Sequence, residues 1–409
     1  MKKFFSLVLA MLMCVCLMAG CGQAEDPAEE PSEAPASGEP AAEEPSGEEE
    51  PAAEGTAFKF GGVGPLTGDN AIYGTAVMNG AQIAVDEINA AGGINGYQID
   101  FDFQDDVSDG ETSVNAYNNL MDNDMQVLVG PVTTGPAISV SAVAYEDRVF
   151  TLTPSASSPD VVAGKDNVFQ LCFTDPNQGM GSATYMAANM PDSKIAVIYR
   201  NDDAYSQGIR DTFVAECENQ GLEIVYQGTF TNETATDFSV QLAGAQSAGA
   251  DVVFLPIYYT PASMILTQAA SMDYAPIFFG VDGMDGILTM EGFDTSLAEG
   301  VLLLTPFSAD AQDEKTVNFV TKYVELYGDT PNQFAADAYD AVYAVYEAMV
   351  AGGITADTTP EEACEIMIAE MQKLTIEGLT GTMTWSATGE VSKTPTAVKI
   401  ENGVYVGMK

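Results

Sequence analysis

The 409-residue chain contains no histidine. That absence removes Ser-His and Cys-His catalytic pairs, imidazole metal ligands and the ordinary general base near neutral pH. Carboxylate-pair hydrolases, Ser-Lys hydrolases and carboxylate-only metal sites survive it. Basic residues are also scarce: 14 Lys and Arg stand against 60 Asp and Glu, a formal charge of −46. An excess of that size argues against nucleic acid and against anionic lipid headgroups as partners. Cysteine is sparse too. Beyond Cys14, Cys16 and Cys21 only Cys172, Cys217 and Cys364 remain, odd in number and widely spaced, so no disulfide framework can be read from them; one disulfide on the outer face of a membrane is the alternative to the expected three buried thiols acting as small hydrophobes. After Cys21 no apolar run reaches spanning length. No nucleotide fingerprint is present, since Gly61-Gly62-Val63-Gly64 lacks both the spacing and the Walker lysine.

What is there begins with a leader. Lys2 and Lys3 precede an apolar run over 4–18 and the small pair Ala19-Gly20, so residues 1–20 read as a signal peptide. Leu17-Met18-Ala19-Gly20-Cys21 resembles the lipobox of bacterial lipoproteins, with Met18 where Leu is commoner. The resemblance implies cleavage before Cys21 and a lipid on its thiol, hence membrane contact through that lipid and a place on the outer face of the cytoplasmic membrane. Residues 21–56 continue as a disordered linker of Glu, Pro, Ala, Ser and Gly with no basic or aromatic side chain. As a coil it reaches roughly 30 to 35 Å, enough to hold a domain clear of a membrane.

The linker carries about a dozen of the negative charges, so the remainder is itself acidic. That remainder, about 350 residues, exceeds the usual size of one core and predicts two lobes. Strand patterns over 58–63, 98–104, 125–129 and 149–153 alternate with helical patterns over 75–91, 111–122 and 136–146. Gly92-Gly93 stops the first helix. The second half repeats the rhythm, with apolar strands over 195–199, 251–255 and 276–279 between helices over 206–220, 237–248, 262–271, 314–327 and 333–350. This is an α/β chain of two doubly wound parallel-sheet lobes.

Open α/β sheets place ligands at the carboxyl ends of their strands. Four loops there are rich in hydroxyls and rings: 66–74, 130–135, 153–159 and 201–205. Hydroxyls ahead of a helix cap its amides, and together they suit a carboxylate without an arginine. None of the three arginines, Arg148, Arg200 and Arg210, falls in the hydroxyl loops. A fifth loop, 280–286, carries Asp282 after an apolar strand, a natural partner for an ammonium. Its Asp-Gly-Met-Asp-Gly run lacks the spacing and the downstream Glu of a calcium loop, so no metal is expected.

Over nearly all of 58–409 the chain resembles the leucine/isoleucine/valine-binding proteins, substrate-binding lipoproteins or periplasmic proteins of ABC importers with the type I periplasmic-binding fold. The likeness rests on Gly64-Pro65-Leu66-Thr67-Gly68 with Tyr73-Gly74, Gly80-Ala81-Gln82, Asp86-Glu87-Ile88-Asn89, Gly92-Gly93-Ile94-Asn95-Gly96, Asp105-Asp106, Gly130-Pro131, Thr153-Pro154-Ser155-Ala156, Tyr205 and Asp237-Phe238. It implies lobes of 57–174 plus 305–392 and 175–304 plus 393–409, joined by a three-segment hinge and closing on one amino acid. It puts Thr134, Ser155 and Ser157 at the substrate carboxylate and Asp282 at its ammonium. Tyr73, Val132, Tyr205, Tyr258 and Phe334 would wall the side chain. Where some members have a disulfide this chain has Ser108 and Thr133, and where some have Glu it has Asp282.

The expected role is therefore capture without chemistry or cofactor: a monomer that takes a branched-chain or related amino acid and presents it to an ABC permease. A tethered sensor for an amino acid, amide or urea, signalling to a membrane receptor, is the alternative on the same fold. A hydrolase using Asp105 and Asp106 is disfavoured, because adjacent side chains of a strand point to opposite faces.

Overall fold

Val127–Val129 and Val252–Leu255 are apolar and buried at every position, as strands covered on both faces must be. The computed structural model, which describes residues 57–408, places both inside parallel sheets. The expected signal peptide, Cys21 and the expected linker lie outside the described residues.

The first half runs β1 (Phe58–Gly64), α1 (Ala71–Ala90), β2 (Ile99–Asp105), α2 (Gly110–Asp122), β3 (Val127–Val129), α3 (Thr134–Glu146), β4 (Phe150–Thr153) and β5 (Val168–Gln170). Next come α4 (Asp175–Asn189), β6 (Lys194–Arg200), α5 (Ala204–Gln220), β7 (Glu223–Phe230), α6 (Ser239–Ser247), β8 (Val252–Leu255), α7 (Tyr259–Ser271), β9 (Ile277–Gly280) and β10 (Leu302–Thr305). The chain ends with α8 (Glu314–Tyr327), α9 (Gln333–Gly352), α10 (Pro360–Met371), the hairpin β11 (Ile376–Gly378) and β12 (Gly381–Met383), then β13 (Thr396–Glu401) and β14 (Val404–Gly407).

One sheet has the order β2-β1-β3-β4-β5 and is wholly parallel; the other has the order β14-β13-β10-β9-β8-β6-β7. The second departs from the expected all-parallel pattern, because β13 pairs antiparallel with β10 and β14 with β13. The cause is local. Asn402 and Gly403 both have positive φ (54° and 76°), the requirement of a two-residue reversal, and such a turn joins only antiparallel strands. The sequence reading also lacked β5, α4, β7, β10 and α10, and it began α1 and α7 several residues late.

Helix α1 packs along α9 at close range. Gly80 makes that approach feasible, since a Cβ there would strike the backbone of Ala335. In the other layer Phe213 of α5 stacks on Phe254 of β8, ring centroids 3.9 Å apart. Cys172, Cys217 and Cys364 are all buried and unpaired; burial pushes the thiols of Cys217 and Cys364 up to about 12 and Cys172 well above its ordinary value.

The chain passes between the two sheets near 171–174, 306–313 and 392–395. At the last passage Lys393 Nζ lies 2.5 Å from Asp337 Oδ1 of α9, with the two side chains 1% and 3% exposed. Burial pushes the Asp337 carboxyl up to about 6, and the Lys393 charge opposes that rise. A buried ion pair adds little net stability, but removing one partner strands the other. Lys393→Met should therefore destabilise the fold by about 3 to 5 kcal/mol in urea unfolding, and adding Asp337→Leu should recover most of the loss. A single variant as stable as the parent would show that the pair does not carry this passage.

Candidate functional site

In parallel sheets the carboxyl ends of neighbouring strands share an edge. Here the edge of β1, β3 and β4 faces that of β6, β8 and β9, and between them lies a narrow pocket of about 10 Å³. Its lining is Tyr73, Val132, Thr133, Thr134, Ser155, Tyr205, Tyr258, Asp282, Gly283 and Phe334.

Tyr73 lies in the first turn of α1, which starts at Ala71 rather than four residues later as the sequence suggested. Its ring lies 4.5 Å from Phe334 and 5.6 Å from Tyr258, centroid to centroid, and its hydroxyl donates to the carbonyl of Gly283 while accepting the Tyr259 amide at 3.1 Å. Tyr258 stacks on Tyr205 at 4.7 Å with planes 14° apart. A Cβ at Gly283 would come within 2.5 Å of the Tyr205 hydroxyl, so only glycine lets the loop pass beneath these rings.

The opposite wall is polar and uncharged. Helix α3 begins at Thr134, and the Thr133 side chain does not cap it, so its first turn meets the pocket with free amides and the positive end of the helix dipole. The Thr133 hydroxyl instead donates to Ser108 Oγ at 3.3 Å. Ser155 Oγ donates to the Val132 carbonyl at 2.7 Å, and Thr153 Oγ1 donates to that of Pro131 at 2.6 Å while accepting the Ala156 amide at 2.9 Å. Ser157 is set back from the pocket, 1% exposed and alongside Asp175. Neither carboxylate oxygen of Asp175 has a well-formed hydrogen bond, and burial drives its carboxyl well above the usual range, eased in part by the Ser157 hydroxyl.

Asp282 is the charged member of the lining, 4% exposed. Its Oδ1 accepts from the Tyr205 hydroxyl and its Oδ2 from Gln178 Nε2 at 2.7 Å. The Asp282 amide donates to Gln178 Oε1 at 3.2 Å, so one glutamine holds both ends of the residue. Among the described residues no salt bridge includes Asp282. Burial therefore dominates and pushes its carboxyl up to about 7, against the Tyr205, Gly283 and Gln178 donors and with a further push from Asp337.

Eight of the nine side chains singled out in the sequence thus share one pocket, and Ser157 stands behind it. Sequence reasoning missed Gln178, Gly283 and Tyr259. A signal for Gln178 was present: Thr174, then Pro176 in the first turn, marks a helix start, which puts residue 178 one turn inside. Asp105 and Asp106 do not reach the pocket. Asp105 holds the 66–67 loop through the Leu66 amide at 2.8 Å and the Thr67 hydroxyl at 2.6 Å, while buried Asp106 accepts the Ser108 amide at 2.9 Å.

The family model of the periplasmic binding proteins matches residues 57–403. The chain belongs to that family. As a periplasmic binding protein it shares a class of ABC-transporter substrate-binding proteins, not an enzyme family. It is 31% identical over 351 residues to Leu/Ile/Val-binding protein homolog 3 of Brucella melitensis, covering 85% of this chain and 93% of that one. With Leu/Ile/Val-binding protein BraC3 of Rhizobium johnstonii the identity is 29% over 331 residues, 81% and 88% of the two chains. The branched-chain amino acid transporter substrate binding protein LivJ of Streptococcus pneumoniae, solved with isoleucine, superposes with a TM-score of 0.77 at 29% identity, covering 86% of this chain and all of that one. A solute binding protein of R. palustris solved with benzoate shares the fold, with a TM-score of 0.76 at 20% identity over 86% and 96% of the two chains. Among the described residues no helix is long and apolar enough to cross a membrane.

The Asp282 carboxyl sets a pH signature of this periplasmic binding protein. Its folded value of about 7 lies above the ordinary 3.8, so the folded state holds the proton more tightly, and stability falls as pH climbs between the two. Asp282→Asn, neutral throughout, should gain on the parent by roughly 2 to 4 kcal/mol between about pH 4 and pH 8 in urea unfolding. A constant difference across that range would remove the assignment.

Proposed function

We propose that the protein captures a single branched-chain or closely related amino acid in this pocket, as the extracytoplasmic substrate-binding lipoprotein of an ABC importer. The observation that carries the reading is one pocket with opposite polar ends: a buried carboxylate on one wall and an uncapped helix N-terminus with hydroxyls on the other, separated by rings. An α-amino acid carries the matching charges, its ammonium for Asp282 and its carboxylate for the first turn of α3, joined by Ser155 once its hydroxyl turns from the Val132 carbonyl. Tyr73, Tyr258, Val132 and Phe334 then enclose the side chain. A benzoate-like anion lacks the cation and would leave Asp282 facing a second negative charge, which disfavours that class here.

The working units in this reading are 57–174 with 305–392 and 175–304 with 393–409. Tyr205, Tyr258 and Asp282 come from the second and close onto Thr134 and Ser155 of the first. The relatives named for leucine, isoleucine and valine, and the isoleucine bound to LivJ, support the aliphatic choice. The Leu17–Cys21 run supports a lipid anchor that keeps the monomer near its permease.

Calorimetric titration with L-leucine, L-isoleucine and L-valine tests the reading. One of them should bind one-to-one, and Asp282→Ala should weaken it more than about 100-fold, as expected when a buried charge loses its partner. Pairing requires the ionised carboxylate, so below about pH 7 affinity should drop with falling pH and binding should release a proton. Amino-acid binding indifferent to Asp282→Ala would overturn the ammonium assignment, and no binding to any amino acid would overturn the ligand class.

A further inference from the structure

The Asp282-Gly283-Met284-Asp285-Gly286 run contains a second aspartate that the pocket does not use. Asp285 is 4% exposed and follows β9, on the layer of the second sheet. Its Oδ2 accepts the main-chain amide of Gln333 at 2.9 Å. Gln333 is the first residue of α9, and α9 packs against α1, β3 and β4 of the other layer. Asn332 already caps that helix through the Ala335 amide at 3.2 Å. A carboxylate from across the cleft therefore satisfies a further free amide at the same N-terminus, where the helix dipole favours a negative charge.

The bond does not stand alone. Gln333 Nε2 donates to the Asp282 carbonyl at 3.1 Å, and the Tyr73 hydroxyl donates to the Gly283 carbonyl. On the same side Tyr405 of β14, whose hydroxyl accepts the Gly286 amide at 3.3 Å, braces Asp285. The Asp285 carboxylate is thus bonded to the opposite layer through Oδ2, with Oδ1 lacking a well-formed hydrogen bond; it does not line the pocket, yet it is three residues from the carboxylate that does. Thr260 Oγ1 makes another crossing bond, to the Asp69 carbonyl at 2.7 Å, but it is exposed and far from Asp282 in the chain.

We propose that Asp285 is a positioning residue: by capping α9 from across the cleft it latches the two layers together and holds the Asp282 loop over the pocket. This rests on the capture reading in one respect, that closure retains the ligand. Every bond in the latch is formed by the protein itself, so its effect on closure is present with or without amino acid, and it acts on how long a ligand stays rather than on how fast it arrives.

The test uses the full chain with spin labels at the exposed positions Asp122→Cys on α2 and Glu218→Cys on α5, one in each layer. Without any amino acid, Asp285→Ala should add a longer component to the label-to-label distances and speed exchange of the Gln333 amide by about three- to thirty-fold, the range set by loss of a helix cap. With L-leucine as probe, dissociation should quicken by a similar factor while association changes less than about twofold. Asp285→Asn keeps an acceptor oxygen and the side-chain shape and should recover most of both effects; if the alanine variant does not fold, Gln333→Pro, which removes the amide at a first helical position that tolerates proline, should lengthen the distances and quicken dissociation in its place. Distances, Gln333 exchange and L-leucine dissociation all equal to the parent in Asp285→Ala would overturn the latch. A parent that fails to bind L-leucine would count against the choice of ligand, and the ligand-free distances and exchange would still decide the latch.

Discussion

Asp282 is an ionisable carboxylate enclosed with neutral donors alone. Tyr205 and Gln178 hydrogen-bond it, no lysine or arginine among the described residues pairs with it, and burial lifts its carboxyl to about 7. A buried charge left without a counter-charge is costly, and the protein does not supply one. In the proposed reading that counter-charge is the ammonium of a captured amino acid. In that reading the uncharged facing wall meets the ligand's carboxylate with amides and hydroxyls, and the rings keep water from screening the pair.

The same constraint explains why the neighbourhood is fastened so closely. Gln178 grips both the amide and the carboxylate of Asp282, Gly283 passes beneath Tyr205, and the Asp282 carbonyl is held by Gln333 from the opposite layer. A carboxylate that moved would find water and lose the burial that raises its proton affinity. At the nearby passage between sheets the protein uses the opposite solution, pairing Asp337 with Lys393 internally. Two buried aspartates therefore differ in role because one has a resident cation and the other does not. The acidity of the chain as a whole supports solubility and exclusion of anions, and is separate from this local arrangement.

Much of this was legible in the sequence. Alternating apolar strands and helical stripes gave the α/β layers because burial on two faces needs continuous apolar runs, as in Val252–Leu255. Asp282 was readable because an aspartate directly after such a strand sits at the sheet's carboxyl edge. Other parts were not. Gln178 lies on a helix whose composition, with three alanines and two glycines, gives little periodic signal, and its partner is 104 positions away. The antiparallel β13 and β14 depend on a turn at Asn402 and Gly403 in a short polar tail. Ser157 was placed in the pocket by likeness, whereas the backbone turn after β4 directs it toward Asp175. The leader and Cys21 are carried by composition and motif alone.

Carbon-13 NMR of the Asp282 side-chain carboxyl, followed against pH with and without L-leucine, reaches the centre of this account. The expected result is a midpoint near 7 in the free protein and a fall well below that when the amino acid is bound, as its ammonium supplies the missing charge. A free-protein midpoint in the ordinary range near 4, or a midpoint that binding leaves unchanged, would contradict it.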